Sequence, residues 1–172
     1  MKLTPIAIES WSVKAHELWA NQWLLLTVGD FAAGRFNAMT VAWGSFGTMW
    51  GKPCAQVVVR PTRFTFEFME KYPTFTLCAF PDTHRADLQL LGTRSGRNGD
   101  KIAESGLTPV ASPNVHAPCF SEAELVVECR KIYYDDFKPA QFLDAEIEKN
   151  YPNKDYHRIY YGEIVGVWKQ HA

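Results

Sequence analysis

Residues 37–53 read N-A-M-T-V-A-W-G-S-F-G-T-M-W-G-K-P, and after a short apolar run residues 57–65 read V-V-V-R-P-T-R-F-T. Small and hydroxyl residues, with backbone donors at Gly44, Gly47 and Gly51, suit the polar edge of a flat ring. The second piece reads as a strand ending in Arg60-Pro61-Thr62-Arg63, just before a helical pattern. Guanidinium forks, hydroxyls and a helix start are what a phosphate needs. Pro61 biases Arg60 away from helix, so the chain is extended there and then turns. On spacing alone, surface charge plus an N-cap at Thr65 explains Arg60, Thr62 and Arg63 equally well.

Working outward, residues 10–20 put Trp11, Ala15, Leu18 and Trp19 at helical spacing, with Ser10 as N-cap. Residues 23–29 (W-L-L-L-T-V-G) read as a buried strand, and Asp30 to Phe36 as a turn. Met39 to Phe46 and Ala55 to Val59 read as two further strands, and F-E-F-M-E-K-Y as a short helix. Phe75 to Phe80 is a strand, and His84 to Leu91 a helix stopped by Gly92. Asp100 is placed to cap a short I-A-E-S helix, and residues 107–120, with three prolines, form an irregular loop. Glu124 to Tyr134 is a long strand, Phe137 to Tyr151 reads partly helical, and Arg158 to Trp168 is the last strand. Six or so strands without regular β-α-β alternation favour an antiparallel barrel over a Rossmann sheet.

The chain has 172 residues, which favours one domain spanning 1–172 with a sizeable core. At 47% hydrophobic and 14% aromatic it is globular rather than disordered. A net charge of -1 argues against nucleic acid as a partner. The apolar runs fall well short of the roughly 20 residues a bilayer span needs, so no membrane is expected. The N-terminus carries Glu9 and no apolar core, so it is not a signal peptide, and a cytoplasmic location follows by default. Four cysteines form no C-x-x-C pair, which disfavours zinc and any other metal site and points to buried structural thiols.

Two further stretches bear donors. Ser95-Gly96-Arg97-Asn98-Gly99-Asp100-Lys101 lets backbone amides approach a ligand and adds Ser95, Arg97 and Lys101, without the spacing of a Walker A loop. Asp155-Tyr156-His157-Arg158 stands directly before the last strand, where His157 is either structural or ligand-facing. His16, His84, His116 and His171 have no partner at ligand spacing. No G-x-S-x-G nucleophile motif and no paired carboxylates occur.

Taken in order, N-A-M-T-V-A-W-G, V-R-P-T-R-F-T, S-G-R-N-G-D-K-I-A-E-S-G-L and D-Y-H-R-I-Y-Y-G-E-I-V resemble the flavin reductase-like family of FMN-binding split barrels, above all its flavoredoxin-like branch. The resemblance covers about residues 20–168. It implies a mainly β fold, an antiparallel Greek-key split barrel, and a homodimer with one FMN per protomer. It implies that Asn37, Ala38, Met39, Thr40 and Trp43 run along the isoalloxazine, and that Arg60, Thr62, Arg63 and Thr65 lie toward the phosphate. Ser95, Gly96, Arg97 and Lys101 would close over the cofactor.

Related two-component reductases carry G-D-H before the last strand, with the histidine beside the nicotinamide. This chain has Lys154-Asp155-Tyr156-His157, with an extra Tyr156 and no glycine; the resemblance implies that His157 takes that catalytic place. The implied reaction is hydride transfer from NADH or NADPH to flavin, then electron delivery to a small-molecule acceptor. An FMN-binding electron carrier without nicotinamide activity, and a haem-type split-barrel relative, stay open beside it.

Overall fold

Two residues, Ala42 and Trp43, separate β3 (Arg35–Val41) from β4 (Gly44–Met49), yet these strands lie at opposite ends of the sheet. The order is β3-β2-β6-β9-β10-β5-β4, every pairing antiparallel, with β2 at Leu24–Asp30, β5 at Lys52–Val59 and β6 at Thr74–Ala79. The long strands β9 (Leu125–Asp136) and β10 (Arg158–Gln170) form the centre. Three Cα–Cα steps of about 3.8 Å cannot span more than about 11 Å. The sheet must therefore curl until its two edges stand almost side by side without a ladder between them, which is a split barrel. Strands β5, β6, β9 and β10 are ordered β6-β9-β10-β5, so the strand that starts the run returns beside the strand that ends it, a Greek key.

The computed structural model describes residues 3–170; Met1, Lys2 and His171, which entered the sequence reading, lie outside them. β1 (Leu3–Pro5) pairs with the end of β10, and a two-stranded ribbon, β7 (Pro109–Val110) with β8 (Cys119–Phe120), sits apart. The helices are α1 (Ala15–Glu17), α2 (Phe64–Lys71) and α3 (Arg85–Thr93).

The apolar run of β2 does not alternate because both its faces are covered. Leu24, Leu26 and Val28 point into the barrel with Met39, Val41, Val57, Phe75 and Ile164. Leu25 points outward, with Ala38, Cys78 and Val126, against Leu88 and Leu91 of α3. The hairpin β4–β5 turns on Trp50 (φ 52) and Gly51 (φ 70), two positive-φ residues as a type I′ turn requires. Cys54, Cys78, Cys119 and Cys129 are all buried and free, and burial raises each thiol.

Several local expectations change. The strand read over Met39–Phe46 breaks at Ala42–Trp43, because its halves belong to opposite edges. The helix of residues 10–20 shrinks to α1 running into a π-turn at Leu18–Gln22, and the Ser10 hydroxyl instead donates to Ala7 O at 3.0 Å. Gly92 does not stop α3, which runs on to Thr93. Asp100 Oδ1 accepts from the Ile102 and Ala103 amides in a turn rather than a helix. Residues 137–151 form only the 3-10 turns Pro139–Gln141 and Ala145–Asn150. Among the described residues there are ten strands rather than six or so, since the short edge pieces leave little periodicity.

Gly162 marks an irregularity where β10 and β9 slip register, and a Cβ there would stand 2.5 Å from Phe75 Cζ and 2.8 Å from Cys129 Cβ. Gly162→Ala should cost about 1–3 kcal/mol by overpacking and lower the thermal midpoint by about 2–4 °C per kcal/mol. An unchanged midpoint would mean the Phe75 ring yields freely.

Candidate functional site

The inward-facing side of β3 is apolar except at its start, where Asn37 is buried. Its amide is satisfied by donating to Thr65 Oγ1 at 2.7 Å. Thr65 is thus not the N-cap of α2; the helix starts at Phe64, and Arg63 stands at the cap without a side-chain bond. On the other side of Asn37 lies Gly96, where any Cβ would overlap Asn37 Oδ1 and come 2.9 Å from Phe64 Cδ1. Only glycine lets the Ser95–Lys101 loop approach this closely. Ser95 opens that loop by accepting the Arg97 amide at 3.3 Å.

A cavity of about 170 Å³ opens here, lined by Asn37, Thr62, Arg63, Thr65, Ser95 and Lys101 among others. A second, of about 420 Å³, continues past Phe64 and Gly96 toward Gly34 and Phe36. The smaller cavity holds two cations that no carboxylate neutralises. Lys101, only 4% exposed, donates to Leu91 O at 2.7 Å and Arg94 O at 3.0 Å. Arg63 donates to Gly92 O at 2.5 Å. All three carbonyls belong to the C-terminal end of α3, which favours positive charge. Neither residue enters an ion pair among the described residues. Burial, reinforced by the nearby Arg63 charge, brings Lys101 down to about 8. Burial and then Arg60 lower Arg63. An anion entering this cavity would meet both charges.

The remaining sequence-selected residues divide. Ala38 lies in the outer core, Met39 lies in the barrel, and Thr40 gives its hydroxyl to Leu88 O at 2.5 Å. These three side chains serve the fold. What β3 offers outward is its edge backbone, since it pairs only with β2. Arg97 is held by Glu67 at 2.5 Å and by Thr62 O at 3.2 Å. Arg60, expected at the phosphate with Arg63, points away from it. Its Nη1 meets Asp155 Oδ1 at 2.8 Å, its Nη2 meets Asn150 O at 2.7 Å, and it stands 5.0 Å over the Tyr151 ring. Thr62 joins it through Asp155 Oδ2 at 3.3 Å.

Trp43, 48% exposed, lies 5.2 Å from the His157 ring at the barrel's split. His157 is buried, and its Nδ1 pairs with the Tyr151 hydroxyl at 2.8 Å. Burial first, then Arg60, pushes it down to about 4, so it is neutral at ordinary pH. Tyr151, Asn150 and Asp155 were not singled out by sequence; only Asp155, beside His157 in D-Y-H-R, carried any signal. The Leu91, Gly92 and Arg94 carbonyls left none, because backbone acceptors have no sequence signature.

A family model described as the flavin reductase like domain matches residues 19–172. No curated protein matches the sequence. Among solved structures, the chain is similar to the FMN-binding domain of a flavin reductases-like enzyme from Shewanella baltica OS155. The TM-score is 0.70 at 17% identity, covering 98% of this chain and 77% of that one. It is similar to the flavoredoxin of Desulfovibrio vulgaris (Miyazaki F), at TM-score 0.67 and 22% identity, covering 92% and 74%. A third is the NADH:FAD oxidoreductase of Streptomyces globisporus C-1027 in complex with NAD and FAD fragments, at TM-score 0.65 and 15% identity, covering 87% and 74%. At these identities the likeness carries the split-barrel fold. No helix of the described residues is long and apolar enough to cross a membrane.

The depressed His157 has a consequence for stability. Unfolded, it takes up a proton near 6.5, whereas the folded ring resists until about 4. Its neutral burial costs nothing above pH 6.5, and stability is lost as pH falls from 6.5 toward 4. The loss should be about 1–3 kcal/mol over that window. Denaturant titrations across it should show a shallower slope for His157→Gln than for the parent protein.

Proposed function

The chain belongs to the flavin reductase-like family, and from that premise we propose that it binds FMN and passes reducing equivalents from NADH or NADPH to a small acceptor. The observation that carries the reading is a pair of carboxylate-free cations, the half-buried Arg63 and the buried Lys101, beside the hydroxyl residues Thr65 and Ser95. A phosphate monoester fits that set: two charges meet it, hydroxyls complete its acceptors, and α2 begins there without a side-chain cap. The phosphate end is therefore assigned to Arg63, Thr65, Ser95 and Lys101, with Gly96 allowing the loop to close and Arg97 bracing it. The ring is assigned to the outer backbone of Asn37, Ala38, Met39 and Thr40, reaching Trp43.

FMN bound there would supply the two-electron centre that accepts hydride from a nicotinamide. The chain's own part is orientation and polarity. Backbone N–H groups along the unpaired edge of β3 would hold the ring's polar edge and offset the negative charge that reduction brings. Trp43 and neutral His157 wall the far end and add no charge to it. No side chain has to exchange a proton, which agrees with the lack of a paired-acid or triad constellation.

A flavin-binding electron carrier without nicotinamide activity is the second reading, favoured by Tyr156 standing where the related reductases keep a compact G-D-H. A homodimer belongs to the proposal as well. Its support on the molecule is the ring cluster of the exposed Trp50 and Tyr133 with the half-buried Tyr161, Trp50 being 61% exposed and the centroids 5.5–5.9 Å apart.

Arg63→Ala and Lys101→Met should each weaken FMN binding by about 10- to 150-fold, the loss of one charge-assisted contact. Fluorescence titration reads this directly, and parental affinity in both variants removes the phosphate assignment. Lys101 is charged below about 8, so affinity should be full there and decline as pH rises past 8. The Lys101→Met variant should lack that decline. Anaerobic mixing of the flavin-loaded protein with NADH or NADPH should bleach the visible flavin band. A band that survives both selects the carrier reading.

A further inference from the structure

We propose that Arg60 is a positioning residue rather than a phosphate ligand: with Asp155 it clasps residues 150–157 against the barrel and so holds the Trp43–His157–Tyr151 wall in place. The inference rests on the reading that FMN occupies the adjoining cavity, and it concerns what reaches the flavin rather than the flavin itself. The Arg60 guanidinium reaches three points of one segment: the Asp155 carboxylate at 2.8 Å, the Asn150 carbonyl at 2.7 Å, and the face of Tyr151 at 5.0 Å. Thr62 adds a second bond to Asp155 at 3.3 Å. The segment needs such a clasp. It lies between β9 and β10, has no helix or strand after Asn150, and passes through Lys154 at φ +57, an uncommon conformation for a residue with a side chain.

What the clasp fixes is a side-chain chain of three. Tyr151, held from below by Arg60, bonds His157 Nδ1 at 2.8 Å, and the His157 ring meets Trp43 at 5.2 Å. Trp43 is the residue that crosses the barrel's split, directly after the β3 edge. A displaced 150–157 segment would therefore open or misalign the far wall while leaving the two phosphate cations, Arg63 and Lys101, on their α3 carbonyls. That wall is where a nicotinamide or a flat acceptor would stack on the exposed Trp43. Among the described residues Arg63 makes no hydrogen bond to this segment; its side-chain partner is Gly92 O on α3.

The test compares Arg60→Ala, Asp155→Asn and Arg63→Ala in the full-length protein by FMN titration, hydrogen exchange and steady-state kinetics with NADH and NADPH. Arg60→Ala and Asp155→Asn should each speed exchange across residues 150–157 by about tenfold or more. They should raise KM for the nicotinamide by about tenfold, with kcat and FMN affinity within about threefold. Arg63→Ala should do the reverse, weakening FMN and leaving that segment protected. Asp155→Asn keeps the size and Thr62 bond of the original residue, so it reports even where Arg60→Ala folds poorly. Loss of FMN affinity in Arg60→Ala but not in Asp155→Asn overturns the proposal and returns Arg60 to the phosphate. Unchanged exchange and KM in both variants also overturn it. A parent protein that binds no FMN sinks the functional reading alone, and the exchange measurement still decides the clasp.

Discussion

The two-residue passage from Val41 to Gly44 is the constraint on which the molecule turns. It ties together the two edges of a seven-strand path, so the sheet has to close on itself, and Gly44 has to lie against Trp19 and Gln56, where a Cβ would have no room. Closure fills the interior with Leu24, Leu26, Val57 and Phe75, and it leaves β3 with one unpaired backbone edge. It also sets Trp43 over His157. Fold and site are therefore not separate features: the same short passage that shuts the barrel presents a hydrogen-bonding edge at one side and an aromatic wall at its end.

The second organising feature is electrostatic. Surface ion pairs abound, but the half-buried Arg63 and the buried Lys101 rest on carbonyl oxygens alone. Backbone carbonyls at a helix C-terminus offset part of the desolvation of a buried cation, not all of it, and the lowered Lys101 reflects the remainder. A fold stabilised for its own sake would place an acid there or no cation at all. That unbalanced charge is what the proposed phosphate would neutralise.

Much of this was legible in the sequence, and the failures have physical causes. The order of motifs led to a split barrel, and Asn37, Thr65, Ser95, Gly96 and Lys101 do converge. The stretch over Met39–Phe46 looked like one strand because small and β-branched residues continue through Ala42 and Trp43; nothing local says that its halves pair with different partners. Thr65 looked like a cap because a threonine at a helix start usually is one, but a buried Asn37 competes for the hydroxyl. Arg60 and Arg63 looked equivalent. The Arg63 amide donates to Arg60 O at 3.0 Å, yet the two side chains take different partners, Asp155 and Asn150 for Arg60 and Gly92 O for Arg63. Spacing gives neighbours, and only tertiary partners such as Asp155 and Gly92 decide direction.

The four thiols have a use that none of the catalytic reasoning touches. Each is enclosed, and burial keeps every one protonated and out of reach of electrophiles. They are spread over β5, β6, β8 and β9, on both sides of the sheet. Alkylation of this protein is consequently an internal clock: each label records an opening of its own layer. Unequal rates among the four would draw the order in which the barrel comes apart.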